Sequence, residues 1–175
     1  QLFFYENSAI SLLATFATYV IALVMRPIGG ALFGNFGDKY GRKKTMMVTI
    51  VGFSIVTFAT GLLPTWQTVG ILAPILLIFL RFIQGLFAGG EWASGSVITM
   101  EMVPKRSRGL LSGFVQSGYS FGFVLASIIY LLVLDIFPND QFVAIGWRIL
   151  FFTGLIPGLL ALIIRVKMVE SEVWL

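Results

Sequence analysis

Three charged residues lie inside apolar stretches of the sequence, and they are the first candidates for chemistry. Arg26, Arg81 and Glu91 each have uncharged neighbours on both sides. A charge at membrane depth costs at least about 2.5 kcal/mol on insertion scales, and it usually marks a transport pathway or a buried ion pair. For Arg26 and Glu91 two interpretations stay open: an ion pair with no further role, or a place on a pathway.

Polar residues also cluster in the segment "GNFGDKYGRKK" at positions 34–44, which we call the basic segment. Gly-rich turns that end in Lys-Thr can bind phosphate. The spacing excludes such a loop here, because the position that requires glycine holds Lys39 after Gly34 and Arg42 after Gly37. A dinucleotide site is excluded as well, since no G-x-G pair begins the segment.

Composition excludes most enzymes and most soluble folds. Of the 175 residues, 58% are hydrophobic and 11% are charged, against about 25% charged in a soluble domain. So few charges cannot cover a water-facing surface, so we expect the exterior to contact lipid. The sequence has no cysteine and no histidine, which removes thiolate metal sites and the commonest metal ligand and general base. We therefore predict no enzyme activity, no metal site and no cofactor.

Five segments are long enough to cross a bilayer, which takes about 20 apolar residues in a helix. Their approximate bounds are 11–33, 45–63, 69–100, 110–134 and 145–164. The links between them are short, so we predict an all-α membrane protein with one helical bundle. The chain begins without Met, and "QLFFY" has the character of a helix end. We expect residues 1–175 to be a fragment of a larger membrane protein.

Basic residues concentrate in alternate links. They occur in the basic segment, in "EMVPKRSRG" and near the C-terminal end, while "PTWQT" and "DIFPNDQ" contain none. Because cytoplasmic loops carry the excess of Lys and Arg, we predict that the basic links are cytoplasmic in a multi-pass protein of the cell membrane. This distribution also accounts for the net charge of +4, so nucleic acid is not a predicted partner.

Depth in the membrane separates Arg81 from the other two charges. At 1.5 Å per residue, Arg81 lies about 18 Å from the non-basic end of its span, near the bilayer centre. No carboxylate of the sequence shares that depth, so we expect Arg81 to meet a helix outside this sequence, water or an anionic ligand. Gln84 lies one turn further along the helix, where it either bonds to a ligand or satisfies a neighbour.

Small residues at a spacing of four predict close helix packing. The pairs are Gly30 and Gly34, Gly85 and Gly89, Gly118 and Gly122, and Gly154 and Gly158. Such pairs let helix backbones approach in lipid, and static packing and sliding helices would give the same pattern. Pro157 is predicted to bend the last span because it lacks a backbone donor. Trp66, Trp147 and Trp174 are predicted to form an interfacial belt.

Within the basic segment, we expect a turn of about eleven residues in which Gly34, Gly37 and Gly41 allow tight bends. Its cations set the topology. Asp38 needs a further role, and its position near Arg42 predicts a latch on the following helix or on a helix N-terminus elsewhere in the protein.

The basic segment resembles the signature loop of the major facilitator superfamily. The matching positions are Gly34, Asp38, Lys39, Gly41, Arg42, Lys43 and Lys44. "RPIGGALFG", "LPTWQTVGILAPILLIFLRFIQGLFAGGEW" and "GWRILFF" resemble the metabolite:proton symporters, and "EMVPKRSRG" and "VESEVWL" are similar to sugar-porter loops. The resemblance covers essentially the whole chain.

This resemblance implies helices two to six, with the end of helix one, of a twelve-helix transporter. Helix 1 and helices 7–12 would then be partners outside the sequence, and residues 1–175 a partial N-terminal transmembrane domain. The implied activity is proton-coupled symport of a small carboxylate or zwitterion by alternating access. Asp38 and Arg42 would form the cytoplasmic latch, with Glu101 and Arg108 in the same charge network.

The resemblance also assigns roles inside the membrane. Arg81 belongs to an "R-x-x-Q-G" motif implicated in substrate or proton binding, and Glu91 in "GGEW" would carry the proton. Two alternatives stay open. One is a sugar or sialic-acid porter of the same superfamily. The other is a structural membrane subunit without transport, which predicts a dry core where a transporter would place Arg81 on a water-filled cavity.

Overall fold

The computed structural model describes residue 3 and residues 8–138 and 140–167, without the side chains of residues 8–10, 98, 99, 101 and 102. The long helices are α1 (Ser8–Tyr40), α2 (Arg42–Leu62), α4 (Leu72–Met102), α5 (Arg108–Ile136) and α7 (Leu155–Lys167). The short elements are α3 (Trp66–Val69), a 3₁₀ turn (Lys105–Ser107), a π turn (Phe142–Gly146) and α6 (Trp147–Thr153).

Five helical stretches are long and apolar enough to cross a membrane. They are Ser11–Tyr40, Arg42–Leu62, Leu72–Val97, Lys105–Ile136 and Phe142–Lys167. The prediction of five spans in an all-α fold is therefore confirmed. Successive spans alternate in direction, so the basic segment, the 105–108 link and the end of α7 lie at one end of the bundle, which we call the basic end.

The basic segment is helical, and the prediction of an eleven-residue turn is wrong. Helix α1 continues to Tyr40 and α2 begins at Arg42, so Gly41 alone separates them. Helical hydrogen bonding continues up to this residue and after it, since the Gly41 N–H donates to Gly37 O at 3.0 Å and the Thr45 N–H to Gly41 O at 3.2 Å. The reversal depends on Gly41, whose φ of 102° lies in a region that disfavours side chains.

Glycines bring α1 and α4 into backbone contact, as the spacing of Gly85 and Gly89 predicted. A methyl group at Gly85 would collide with the carbonyl oxygen of Ala22, and one at Gly89 with that of Arg26. On the opposite side of this crossing, a methyl group at Gly29 would collide with the backbone of Leu86. The two helices therefore pack without intervening side chains, which is the arrangement that small residues permit in lipid.

The other glycine pairs differ in what they contact. A Cβ at Gly30 would lie 3.6 Å from Gly89 O, whereas one at Gly34 would have no neighbour within 4 Å in the part of the chain that the structure describes. Gly154 and Gly158 pack against α2, as predicted. Among the described residues, nothing lies within 4 Å of a Cβ built at Gly118 or Gly122 on α5, so close packing at that pair stays a prediction.

The last span is interrupted at Gly154, between the end of α6 at Thr153 and the start of α7 at Leu155. Pro157 lacks the N–H that would bond to the Thr153 carbonyl four residues earlier, so the predicted bend has its expected cause.

The prediction that Trp147 belongs to an interfacial tryptophan belt is corrected by the structure. Its side chain is buried, with the Phe3 ring 5.2 Å away and the Arg148 guanidinium 4.6 Å above it. Its ring also contacts that of Phe151 edge-on at 6.1 Å. Trp66 is half-buried in α3, at the end of the bundle away from the basic segment. Trp174 lies outside the described residues.

The glycine crossing gives a first prediction. We expect Gly89→Ala to destabilise the protein by about 1–3 kcal/mol, the usual cost of overpacking, because the new methyl group meets backbone that cannot move alone. Gly113→Ala is the matched control, since no atom lies within 4 Å of that position in the described structure. Thermal unfolding in detergent measures both variants, and equal melting temperatures would contradict the assignment.

Candidate functional site

Arg81 begins a chain of hydrogen bonds that joins α4 to α2. Its Nη1 donates to Gln84 Oε1 at 2.8 Å, and Gln84 Nε2 donates to Thr57 Oγ1 at 3.0 Å. The Thr57 hydroxyl in turn donates to the carbonyl oxygen of Phe53 at 2.8 Å. The chain lies within the spans, where each unsatisfied polar group is costly.

Gln84 satisfies a neighbour, which is one of the two roles left open for it. Its side chain is 8% exposed, and both ends of its amide are engaged by Arg81 and Thr57. Thr57 was not predicted from the sequence. Its only signal would have been a polar residue on the face of α2 that packs on α4, which requires the register of the two helices.

Arg81 keeps an uncompensated charge. Among the side chains that the structure describes, no carboxylate pairs with it, and its Nε is buried with no hydrogen-bond partner. Gln84 is a neutral acceptor that satisfies one donor without neutralising the guanidinium. The expectation that Arg81 needs a partner from outside this sequence therefore agrees with the geometry.

Glu91 pairs with Arg165 and not with Arg26, which was its partner in one of the two open interpretations. The Arg165 Nη2 atom lies 2.9 Å from Glu91 Oε1, linking α4 to α7. The Arg165 side chain is 15% exposed and that of Glu91 is 37% exposed. Arg26 is exposed on α1. The sequence interpretation placed Arg165 among the topology-setting cations, because the depth of a residue near a helix end depends on how the helices are offset.

A cavity of about 1270 Å³ lies beside this ion pair. It is larger than a typical small-molecule pocket of about 300–1,000 Å³. Its charged lining consists of Arg26, Glu91 and Arg165, and Gln116 and Tyr119 contribute polar groups from α5. Two cations against one carboxylate leave a net positive charge, which favours a ligand with a negative group. Arg81 is not among the lining residues, so the cavity does not lie where the sequence placed it.

At the basic end, Asp38 and Arg42 meet across Gly41. The Arg42 Nη2 atom lies 3.3 Å from Asp38 Oδ1, and the Asp38 side chain is 65% exposed. The predicted latch thus joins the last turn of α1 to the first turn of α2. An exposed pair of this kind is worth at most about 1 kcal/mol, so it fixes the geometry of the turn more than the stability of the fold.

The other residues predicted in the basic network have separate surroundings. Lys43 Nζ donates to the carbonyl oxygen of Val166 at 2.8 Å, which connects the basic segment to the end of α7. Arg108 Nε donates to Val103 O at 3.2 Å. Lys39 is exposed. The Glu101 side chain lies outside the described part, so its predicted place beside Arg108 stays a prediction. The Lys43 contact was not foreseen, since it joins residues 123 positions apart.

The fold is that of a helical protein with five spans of membrane length, and comparison with known proteins gives its class. The family model described as "Sugar (and other) transporter" matches residues 4–175. The chain therefore belongs to the sugar (and other) transporter family, whose members are transporters and not enzymes.

The relatives include bacterial transport proteins of different substrates. The inner membrane metabolite transport protein YhjE of Escherichia coli K12 is 41% identical over 162 residues, 93% of this chain and 37% of that protein. The shikimate transporter of the same organism is 40% identical over 94% of this chain and 38% of its own length. The proline/betaine transporter of Salmonella typhimurium is 39% identical, over 94% and 33%. The chain spans little more than a third of these relatives.

Solved structures give the same fold. The inward-open xylose transporter XylE from E. coli aligns with a TM-score of 0.78 at 26% identity, over 98% of this chain and 40% of that protein. The major facilitator superfamily proton:xylose symporter XylE bound to 6-bromo-6-deoxy-D-glucose aligns with a TM-score of 0.83 at 25% identity, over 98% and 38%. The predicted superfamily and fold class are thereby confirmed.

The ion pair between α4 and α7 gives a second prediction. Glu91→Gln should destabilise the protein by about 1–2 kcal/mol, because it leaves the half-buried Arg165 without its counter-charge, while partial exposure of the pair screens the loss. Adding Arg165→Gln should recover much of that loss, so that the double-mutant cycle shows a coupling of at least about 1 kcal/mol. The matched cycle with Arg26→Gln should show a smaller coupling. Thermal unfolding in detergent measures both, and a larger coupling with Arg26 would contradict the pairing.

Proposed function

We propose that this chain is part of a proton-coupled symporter that carries a small organic acid or zwitterion by alternating access. In this proposal the chain supplies helices two to six, with the end of helix one, of a twelve-helix protein, and residues 1–175 belong to its N-terminal transmembrane domain. Two features support the arrangement: the chain has five spans, and it covers 33–38% of relatives named for metabolite, shikimate and proline/betaine transport.

The observation that carries the proposal is Arg81 without a carboxylate partner. A guanidinium at membrane depth is retained where a pathway or an anionic ligand uses it. Its planar fork of donors matches a carboxylate, which can accept two parallel hydrogen bonds. One donor is occupied by Gln84, and others remain for a substrate. A carboxylate or zwitterion supplies the negative group that the described residues do not.

Glu91 is the group that we assign to the proton. It is a carboxylate at membrane depth, it lines the cavity, and Arg165 is its counter-ion. Loss of its charge on protonation would release Arg165 and would weaken the link between α4 and α7. Arg26 lines the same cavity from α1 and adds positive charge to the pathway.

The basic end is cytoplasmic in this proposal, which places the chain in the cell membrane with the orientation that its Lys and Arg residues favour. The Lys43 contact with Val166 supports a common location for the basic segment and the end of α7. There Asp38 and Arg42 form the latch. The remaining gating residues are Gly34, Lys39, Gly41, Lys43, Glu101 and Arg108.

A sugar porter is the second candidate, because the family description names sugars and the aligned structures include a proton:xylose symporter. It predicts recognition by uncharged polar groups, and Gln116 and Tyr119 on the cavity wall are of that kind. A structural subunit without transport predicts a dry core. Arg81 does not line the cavity, so it does not separate the two candidates, and the feature that argues against a dry core is the cavity lined by Arg26, Glu91 and Arg165.

Uptake by the full-length protein in proteoliposomes tests the proposal. Under an imposed inward proton gradient, labelled shikimate, glycine betaine, proline and xylose are offered to wild type and to Arg81→Ala. We expect gradient-driven uptake of a carboxylate, and a fall of at least about tenfold in kcat/KM for Arg81→Ala, since a hydrogen bond to a charged group is worth about 1.5–3 kcal/mol. Arg106→Ala is the control, an exposed arginine at the basic end. Xylose uptake indifferent to Arg81 would favour the sugar porter.

Glu91→Gln is tested in the same vesicles. We expect it to keep exchange of substrate across the membrane and to lose accumulation against a gradient, because a neutral amide cannot take up and release the proton. Accumulation that persists in Glu91→Gln, with wild-type dependence on the proton gradient, would place the proton elsewhere.

A further inference from the structure

Arg81 and Thr57, on either side of Gln84, together fix which way its amide points. The guanidinium of Arg81 has donors only, so Gln84 must present its carbonyl oxygen to it. The amide nitrogen then faces Thr57, whose single hydrogen is already donated to Phe53 O at 2.8 Å. Thr57 therefore accepts from Gln84 through a lone pair, at 3.0 Å. If the Gln84 amide were reversed, its NH2 group would face the N–H groups of Arg81. Only one orientation of the amide therefore satisfies both hydrogen bonds.

The surroundings hold this chain in place. Gln84 is 8% exposed, so water does not compete for its amide. The bond to Phe53 O, one turn earlier on α2, fixes the rotamer of Thr57. On the other side of Thr57, a Cβ at Gly154 would lie 3.3 Å from the Thr57 methyl group. Gly154, at the break in the last span, thus packs against Thr57.

We propose that Thr57 and Gln84 are positioning residues that pre-orient the Arg81 guanidinium for an anionic group of the substrate. The inference rests on the proposed function, in which Arg81 binds that group. Gln84 accepts from Nη1 and so fixes the plane of the fork, leaving its other donors for a carboxylate. Fixing a side chain in its binding geometry before the ligand arrives raises affinity, because less conformational freedom is lost on binding. Gln84 itself does not contact the substrate.

Substitutions at Thr57 separate the hydrogen bond from packing. Thr57→Val keeps the shape and removes the acceptor, whereas Thr57→Ser keeps the hydroxyl. The matched control is Thr60→Val, because Thr60 is buried on the same helix and donates to Val56 O at 2.8 Å in the same way. In the uptake assay, we expect Thr57→Val to raise KM about tenfold for the carboxylate that wild type accumulates, with kcat within about twofold. Thr57→Ser and Thr60→Val should stay within about twofold in both constants.

Gln84→Glu tests whether the residue that holds Arg81 must be uncharged. A carboxylate at this position would pair with Arg81 and occupy the site that the substrate needs, so we expect carboxylate uptake to be lost while the melting temperature is kept or raised. If Gln84 had only a structural role, carboxylate uptake would change in the same direction as the melting temperature. Gln84→Leu, which removes the acceptor without adding charge, should lower both.

Three results would overturn the inference: Thr57→Ser as impaired as Thr57→Val, Thr60→Val as impaired as Thr57→Val, or wild-type KM in Gln84→Glu. If wild type accumulates no carboxylate, the proposed function fails on wild type alone. The hydrogen-bond chain from Thr57 through Gln84 to Arg81 is then tested by the melting temperatures of the same variants. The shifts of Thr57→Val and Gln84→Leu are non-additive if the bond exists, and additive shifts would reject it.

Discussion

The backbone contact between α1 and α4 is the constraint on which the rest of the structure depends. In lipid, helices gain little from burying apolar side chains against each other, so close backbone packing and internal hydrogen bonds must hold them together. Gly85 and Gly89 permit that packing. They lie on the same helix as Arg81 and Glu91, between these two charges. The crossing therefore fixes the register in which α4 presents one charge to α2 and the other to α7.

The two charged positions on α4 are stabilised in different ways. Arg81 is held by a chain of neutral groups that ends on a backbone carbonyl, so its charge persists. Glu91 is held by Arg165, so its charge is compensated as long as the pair is intact. A fixed cation suits binding of an anion, and a breakable ion pair suits a proton that comes and goes. One helix thus carries two polar sites with different surroundings, which in the proposed function would serve the substrate and the proton separately.

Sequence reasoning succeeded where composition and local spacing decide the outcome. The five spans, the glycine crossing and the break before Pro157 follow from apolar length, residue size and a missing donor. It failed where the outcome depends on the offset between distant helices: Arg165 as the partner of Glu91, Thr57 as the partner of Gln84, and Lys43 on the end of α7. The prediction of a turn in the basic segment failed for another reason. Its glycines suggested bends, but helical hydrogen bonds satisfy Gly34 and Gly37, and Gly41 alone makes the turn.

The balance of charge inside the spans connects these observations. Apart from charges near the ends of the spans, such as Asp38, Asp135 and Arg148, the described side chains of the spans include three arginines, Arg26, Arg81 and Arg165, and one carboxylate, Glu91. An excess of cations at membrane depth is costly unless an anion relieves it. A bound carboxylate would relieve it directly, whereas protonation of Glu91 would increase it by one charge. Protonation would therefore raise the demand for an anionic substrate, and the substrate would ease protonation. In the proposed symport, coupling between proton and substrate would follow from electrostatics, with no direct contact between them required.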